Sequence, residues 1–452
     1  MAEVCVLGLG YVGLPTASLL ASAGFQVLGV DIDPEVVAAL NEGRTKLRES
    51  GLATVVSAAF QSRNLVAATA PEPSHTFILC VPTPLDSRKG ADLGAVRAAA
   101  QAIAPHLRPG NLVVLESTSP VGTTRGLVAD ILREGGLEPG RDFNLCYCPE
   151  RVLPGNTFAE LVNNDRVIGG FTPRCAEAAR AIYQRFCQGK ITLTDDLTAE
   201  LTKLMENTYR DVNVALANSF ARIAEDSGID VWRAIELANL HPRVGILRPG
   251  PGVGGHCIPV DPWFLIEQFP QHGALLRAAR EVNDGQGLRI LDRLLAAGAV
   301  PPGSKLAILG AAYKADIDDP RESPAFLIAA RARDAGIRVA IHDPHVAPGR
   351  HHGFQVSADL ADTLAGAAAA VLVTEHRDYR CLSSKLFLEN MQGRVIADCR
   401  NALNHTSLRL AGFRVVTTGV GETETEVDAP RREMPLRSNR PEGEAIAGPS
   451  LS

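Results

Sequence analysis

Val4-Cys-Val-Leu7-Gly8-Leu-Gly10-Tyr11-Val12-Gly13 decides how this chain is read. A short apolar run is followed by three glycines in the spacing G-x-G-x-x-G, and Leu14 to Leu20 continue in a helical pattern. A second apolar run, Gln26-Val-Leu-Gly-Val30, ends in Asp31. Strand, glycine turn, helix, strand and acid in that order describe a dinucleotide cradle: the glycines let a pyrophosphate approach the helix N-terminus, and the acid accepts hydrogen bonds from the ribose 2′-hydroxyl. Asp31 would repel a 2′-phosphate, so the cofactor expected is NAD, held by Gly8, Gly10, Tyr11, Val12, Gly13 and Asp31.

The same alternation continues outward. Runs at Thr76–Val81, Leu112–Leu115 and Leu145–Cys148 read as strands. They lead into Pro82-Thr83-Pro84, Glu116-Ser-Thr118-Ser-Pro-Val-Gly-Thr-Thr124 and Pro149-Glu150-Arg151-Val152 respectively. Ligands of open parallel sheets lie beyond the carboxyl ends of strands, which makes Thr83, Thr118, Thr124, Glu150 and Arg151 candidates for cofactor or substrate contacts. From about Thr194 to Asp226 the spacing predicts one helix, capped by Thr194 or Asp195, roughly 45–50 Å long. Its apolar stripe is Leu197, Leu201, Leu204, Val212, Leu216, Phe220 and Ile223, and a different face carries Lys203, Asn207 and Arg210. A helix of this length joins two domains or two subunits.

After Asn239-Leu-His241-Pro-Arg243 comes Arg248-Pro-Gly-Pro-Gly-Val-Gly254-Gly-His-Cys257-Ile-Pro-Val-Asp261-Pro-Trp263. The glycines form a ligand loop, and a helix beginning near Pro259 would place Cys257 at its N-terminus, where the dipole lowers a thiol pKa. A nucleophilic cysteine with a carboxylate four residues on is the chemistry expected. Beyond the linker Gly298–Ser304 the first pattern returns: Lys305–Gly310 and Ala335–Pro344 echo Val4–Gly8 and Ala23–Ile32. Tyr313 and Lys314 stand where G-x-G-x-x-G is missing. The fold class expected is α/β, with two doubly wound Rossmann-like domains joined by a long central helix. Boundaries fall at 1–193, 194–297 and 298–421, with a polar, disordered tail at 422–452.

Composition sets limits. Of 452 residues, 46% are hydrophobic and 21% charged, with a formal charge of −6 and no basic run, which argues against nucleic acid and anionic membrane as partners. Nine cysteines without framework spacing point to a reducing, cytoplasmic setting, and Cys146/Cys148 lack a second pair, so no metal is expected. Ala21-Ser22-Ala23 imitates a leader-cleavage site, but Glu3 stands where a positive residue belongs, and no stretch is apolar enough to span a membrane.

Five blocks together resemble the nucleotide-sugar 6-dehydrogenases: Gly8–Gly13 with Asp31; Glu116–Gly122; Lys203-Leu-Met-Glu-Asn207; Gly252–Cys257 with Asp261; and Tyr313–Ser323. The resemblance spans about residues 3–418. It implies four-electron oxidation of a sugar C6 alcohol with two NAD+ through a thioester on Cys257. Lys203 and Asn207 would stand at the reacting oxygen, Asp261 would position Lys203 or a water, and Glu150 and Thr118 would orient that water. It also implies that Tyr313, Lys314 and Arg400 hold the UDP, that Arg321 reaches cofactor and Arg243 a neighbouring subunit's substrate, and that the enzyme is a homodimer. Arg151, Val152, Arg210, His241 and Gly254 complete the substrate positions.

Enzymes acting on UDP-glucose carry Phe-Leu-Arg-Glu-Gly after Pro-Glu and a lysine before the aspartate. Here Arg151-Val-Leu-Pro-Gly155 and Val260 stand instead, as in the branch acting on 2-acetamido sugars. The sugar so implied is UDP-N-acetyl-D-mannosamine, with UDP-N-acetylglucosamine and then UDP-glucose as alternatives. A non-catalytic nucleotide binder would lack Cys257, Lys203 or Asp261. A one-step hydroxy-acid dehydrogenase would leave Cys257 and the second α/β region without work.

Overall fold

A computed structural model describes residues 2–45, 51–152 and 155–421. The expected tail, 422–452, lies outside them.

Eight strands form the first sheet: β1 (Ala2–Leu7), β2 (Val27–Val30), β3 (Leu65–Ala68), β4 (Ser74–Leu79), β5 (Leu112–Leu115), β6 (Asn144–Tyr147), β7 (Arg166–Gly170) and β8 (Ile191–Asp195). Their spatial order is β3-β2-β1-β4-β5-β6-β7-β8, and every pair is parallel except β6 with β7. The central strands are short because both faces are covered: Val4 to Leu7 and Phe77 to Leu79 are buried throughout, with helices packed on either side. Chain order reverses between β1 and β4, which opens a crevice beyond their carboxyl ends.

The second sheet repeats the plan with β9 (Lys305–Leu309), β10 (Arg338–His342), β11 (Gly349–His351), β12 (Phe354–Ser357), β13 (Ala369–Leu372), β14 (Val395–Asp398) and β15 (Arg414–Thr417), ordered β11-β12-β10-β9-β13-β14-β15. Only β11 with β12 is antiparallel. Two doubly wound sheets joined by a long helix match the fold class expected from the sequence.

The connecting spine is one helix, Asp196–Asp226, of 31 residues. Asp195 caps it, accepting from the Thr198 amide at 2.9 Å. Its buried face is made mostly of small and polar residues, Ala199, Ala215, Ala217, Ala221 and Ala224 with Glu200, Lys203, Asp211 and Asn218, and Leu204 is the large apolar side chain among them. Small residues let the helix Ala274–Ala296 come close, running in the same direction, and Arg222 then reaches the Gln286 side chain at 2.8 Å and the Val282 carbonyl at 2.7 Å. The apolar stripe largely faces outward: Leu201, Leu216, Phe220 and Ile223 are exposed, joined by Met205 and by Tyr209 at 67%. Among the described residues no helix is long and apolar enough to cross a membrane.

Candidate active site

The first βα turn is built to receive a pyrophosphate. Gly8 has φ +90°, and a Cβ there would stand 2.5 Å from the Cys80 carbonyl oxygen; one on Gly13 would stand 1.9 Å from Gly8 O. At Gly10 a Cβ would meet nothing within 4 Å, which is the open space a phosphate needs beside the helix Gly13–Ser22. Asp31 accepts from the Leu9 amide at 3.0 Å through Oδ2 and from the Asp33 amide at 3.0 Å through Oδ1, which leaves lone pairs for a ribose hydroxyl. These residues fit NAD. Thr83 donates its hydroxyl to the Thr118 carbonyl at 2.7 Å and so ties two strand-end loops together. Thr124 is fully buried, and its amide donates to Glu200.

Three separated segments converge on one buried group of charges. Lys203 and Asn207 stand one turn apart on the spine helix, Glu150 follows β6, and Cys257 and Asp261 arrive on the glycine loop. Asn207 Nδ2 donates to Asp261 Oδ2 at 2.5 Å. Burial works to lower the Lys203 pKa, but Glu150, Cys257 and Asp261 outweigh it and raise it, so the side chain stays an ammonium. Burial pushes Asp261 up to about 6, against the pull of Lys203 and the Asn207 hydrogen bond, and raises Glu150, again with Lys203 opposing. The Glu150 carboxylate also accepts from the Val152 amide.

The cysteine departs from expectation. The helix begins at Asp261, not at Pro259, with Val260 as its N-cap residue and Pro262 in the first turn. Cys257 therefore precedes the helix, and its carbonyl accepts from the Val260 and Asp261 amides at 3.0 and 2.8 Å. Burial, followed by the Asp261 charge, pushes the thiol up to about 12 while Lys203 pulls it down. The expected position at the helix N-terminus is thus corrected: the dipole acts only over the first turn, which Cys257 precedes, and burial opposes the thiolate.

The glycine loop lies against the second sheet. Cβ atoms on Gly254 and Gly255 would stand 2.6 and 2.9 Å from Tyr313, and the Gly255 amide donates to the Arg321 carbonyl at 3.0 Å. Arg321 grips Asp319 and sets its guanidinium 5.3 Å from the Tyr11 ring, so the two sheets meet at the cofactor turn. Arg400 lies against Gly250, donates from Nε to the Val373 carbonyl at 3.0 Å and pairs with Glu375. Lys314 is half-buried in the same loop as Tyr313. Arg151 is held by Glu206 at 2.5 Å, bridging β6's loop to the spine. Arg210, His241 and Arg243 are exposed, and among the described residues no hydrogen bond or ion pair joins them to the buried group.

Two sets of residues were not found from the sequence. Glu200, wholly buried one turn before Lys203, takes the amides of Gly122 and Thr124 at 2.5 and 2.8 Å and so fixes the turn after β5; burial pushes its pKa up to about 7. Beneath the glycine loop, Asn218 accepts from the Gly250 amide at 2.9 Å and donates to Asn283 at 3.0 Å; Asn283 donates to Asp211 at 2.8 Å, and Asp211 pairs with Arg280. Helical spacing from Lys203 could have suggested Glu200. Nothing local marks the second network, which spans three segments.

The chain matches the UDP-glucose/GDP-mannose dehydrogenase family in three successive blocks: its NAD binding domain over residues 2–187, its central domain over 197–285 and its UDP binding domain over 307–405. A UDP-N-acetyl-D-mannosamine dehydrogenase of Methanocaldococcus jannaschii is 45% identical over 93% of this chain and 97% of its own. An NDP-N-acetyl-D-galactosaminuronic acid dehydrogenase of Ralstonia nicotianae is 45% identical over 88% and 95%. The solved structure of a UDP-D-ManNAc dehydrogenase from Pyrococcus horikoshii superposes with a TM-score of 0.86 at 38% identity, covering 92% of this chain and 99% of that one. With its NAD cradle, its second nucleotide-type sheet and a buried cysteine–lysine group between them, the chain belongs to the UDP-glucose/GDP-mannose dehydrogenase family and is an NAD-dependent nucleotide-sugar dehydrogenase.

Proposed function

We propose that this enzyme oxidises the C6 alcohol of UDP-N-acetyl-D-mannosamine to the carboxylate, as a step towards surface polysaccharide precursors. The observation that carries the reading is the burial of Lys203 among Glu150, Cys257 and Asp261, with Asn207 locked onto Asp261. Bound NAD+ supplies the hydride acceptor, once for each of two oxidations. Lys203, held as an ammonium, stabilises the oxyanion that develops at the sugar oxygen as the hydroxyl proton passes to water, with Asn207 beside it. Cys257 adds through sulfur to the aldehyde carbon, giving a thiohemiacetal whose oxidation leaves a thioester; sulfur leaves when water attacks. Glu150 and Thr118 orient that water, and Asp261 positions Lys203 or the same water.

Tyr313, Lys314 and Arg400 hold the UDP, the last two through charge on the phosphates. Arg151, Val152 and Gly254 line the sugar side. Arg210, His241 and Arg243 stand apart in the single chain, which supports a homodimer in which they serve the partner's site. The outward stripe of the spine helix, Tyr209, Leu216, Phe220 and Ile223, is the surface that such a dimer would bury. A cytoplasmic location and the division at 193/194 and 297/298 belong to the same reading.

The NADH yield from limiting sugar tests it, with UDP-N-acetyl-D-mannosamine, UDP-N-acetylglucosamine and UDP-glucose compared in wild type and Cys257→Ala. Two NADH per mannosamine sugar, lost in the variant, is the expected result. One NADH per sugar, or a fully active Cys257→Ala enzyme, would overturn the thioester; turnover of another sugar alone would overturn the substrate.

A further inference from the structure

At the carboxyl edge of the second sheet, away from the cysteine, Asp316 Oδ1, His345 Nε2 and His376 Nδ1 lie within 4.8 Å of one another. His345 follows β10, Asp316 sits in the loop after β9 with φ +61°, and His376 follows β13. His345 Nε2 is closed off from solvent and has no hydrogen-bond partner among the described residues. Two carboxylates nevertheless converge on it, Asp378 Oδ2 at 3.4 Å and Asp316 Oδ1 at 3.7 Å. Such a nitrogen between two negative oxygens calls for a cation.

His376 supplies the backing. It is fully buried, its Nε2 lies 3.0 Å from Asp343 Oδ2, and its Nδ1 accepts from the Asp316 amide at 2.9 Å, which fixes the proton on Nε2 and holds Asp316 in place. The His345 ring rests on it, centroids 4.8 Å apart. Arg377 Nε holds Asp316 Oδ2 at 2.8 Å and the Arg377 amide donates to Oδ1 at 3.0 Å, which fixes the carboxylate with the second lone pair of Oδ1 available on the His345 side.

We propose that His345, Asp316 and Asp378, braced by His376, bind one divalent transition-metal ion of the Zn²⁺ type. In a tetrahedral site with bonds of about 2.0–2.1 Å, neighbouring donors stand about 3.4 Å apart, and the His345–Asp378 and His345–Asp316 separations of 3.4 and 3.7 Å are close to two such edges. One imidazole with two carboxylates suits Zn²⁺ or Co²⁺ and leaves a fourth position for water; Mg²⁺ prefers an all-oxygen shell. The ion would tie the loop carrying Tyr313, Lys314 and Arg321 to the ends of β10 and β13. No residue of the cysteine site takes part.

Titration of the chelator-treated full-length enzyme with CoCl2, followed by visible absorption, distinguishes this site from the cysteines, since cobalt on thiolate adds a sulfur-to-metal charge-transfer band. Expected are about one equivalent of tight Co²⁺ with ligand-field bands and no such band, displacement by ZnCl2 but not MgCl2, and weakening by at least about tenfold in both His345→Ala and Asp378→Asn. Melting curves and NADH binding check that the variants are folded. Binding unchanged in both folded variants, a charge-transfer band from the first equivalent, or no uptake at neutral pH, which would leave a proton as the only cation there, each overturns the proposal.

Discussion

The turns after β1 and after β9 are the same device put to two uses. Both leave the strand through a left-handed glycine pressed on the neighbouring strand's exit: Gly8 (φ +90°) against the Cys80 carbonyl, and Gly310 (φ +97°) against Thr374. Both place an acid at the end of the next strand. Asp31 takes two amides, those of Leu9 and Asp33, one on each oxygen, and remains partly exposed, whereas Asp343 is wholly buried and takes four amides, those of Ala311, Ala312, His345 and Val346, with His376 as a fifth partner. One acid is kept open for a ligand and the other is used up as a structural pin. That is why the second sheet repeats the first without being a second dinucleotide site.

Substitutions can break this contrast. The largest effect is expected for Gly13→Ala, whose Cβ would meet Gly8 O at 1.9 Å: NADH binding measured by fluorescence should vanish, with several kcal/mol lost by denaturant unfolding. Retained NADH affinity would mean that the turn is not the cradle. Asp343→Asn comes next, at about 2–4 kcal/mol, because a buried carboxylate with five donors is replaced by an amide that repels some of them. Asp31→Asn should cost under about 1 kcal/mol yet shift the NAD-over-NADP preference by at least about tenfold. If the two variants are equally destabilised, the contrast between open and buried acids fails.

Two buried acids, Asp343 and Asp261, titrate with opposite sign. Burial works against Asp343, but His376 and the amides hold it down to about 2. Its contribution is present above the unfolded value near 4 and is lost as pH falls towards 2. Asp261, pushed up to about 6, stabilises only below about 4 and loses that contribution as pH rises through 6. Asp261→Asn should therefore be inactive yet more stable than wild type above pH 6, on the order of 2 kcal/mol, with the difference gone near pH 4. A melting comparison across that range settles the sign. Smallest of all is Gly10→Ala: with nothing within 4 Å of the new Cβ, stability should hold within about 0.5 kcal/mol while NADH affinity falls. An unchanged affinity would show that the phosphate lies elsewhere.

Much of the fold was legible because its strands are short apolar runs with punctuated ends. Leu112–Leu115 was bounded to the residue, and the spine helix was read only two residues too long, with Thr194 and its cap Asp195 included. Ile191–Asp195 was missed as a strand: it is an edge strand, half-exposed and threonine-rich, without the apolar run of a central one. The helix Val231–Ala238 escaped because it is only two turns long. Of the candidate site, Lys203, Asn207, Cys257 and Asp261 were legible from motif spacing. Arg210, His241 and Arg243 were named beside them, but in the single chain they stand apart.

The sequence by itself determined the two α/β units, the long helix between them, the preference for NAD and the identity of the cysteine and lysine, since glycine spacing, strand-end acids and helical period are local signals. Only the tertiary structure decided the ionisation of those groups and the direction of the apolar stripe. Burial opposed the thiolate at Cys257 and set Asp261 near 6, and the close approach of Ala274–Ala296 to the alanine face turned Leu216, Phe220 and Ile223 outward. Desolvation and packing depend on segments far apart in the chain, and no local pattern records them.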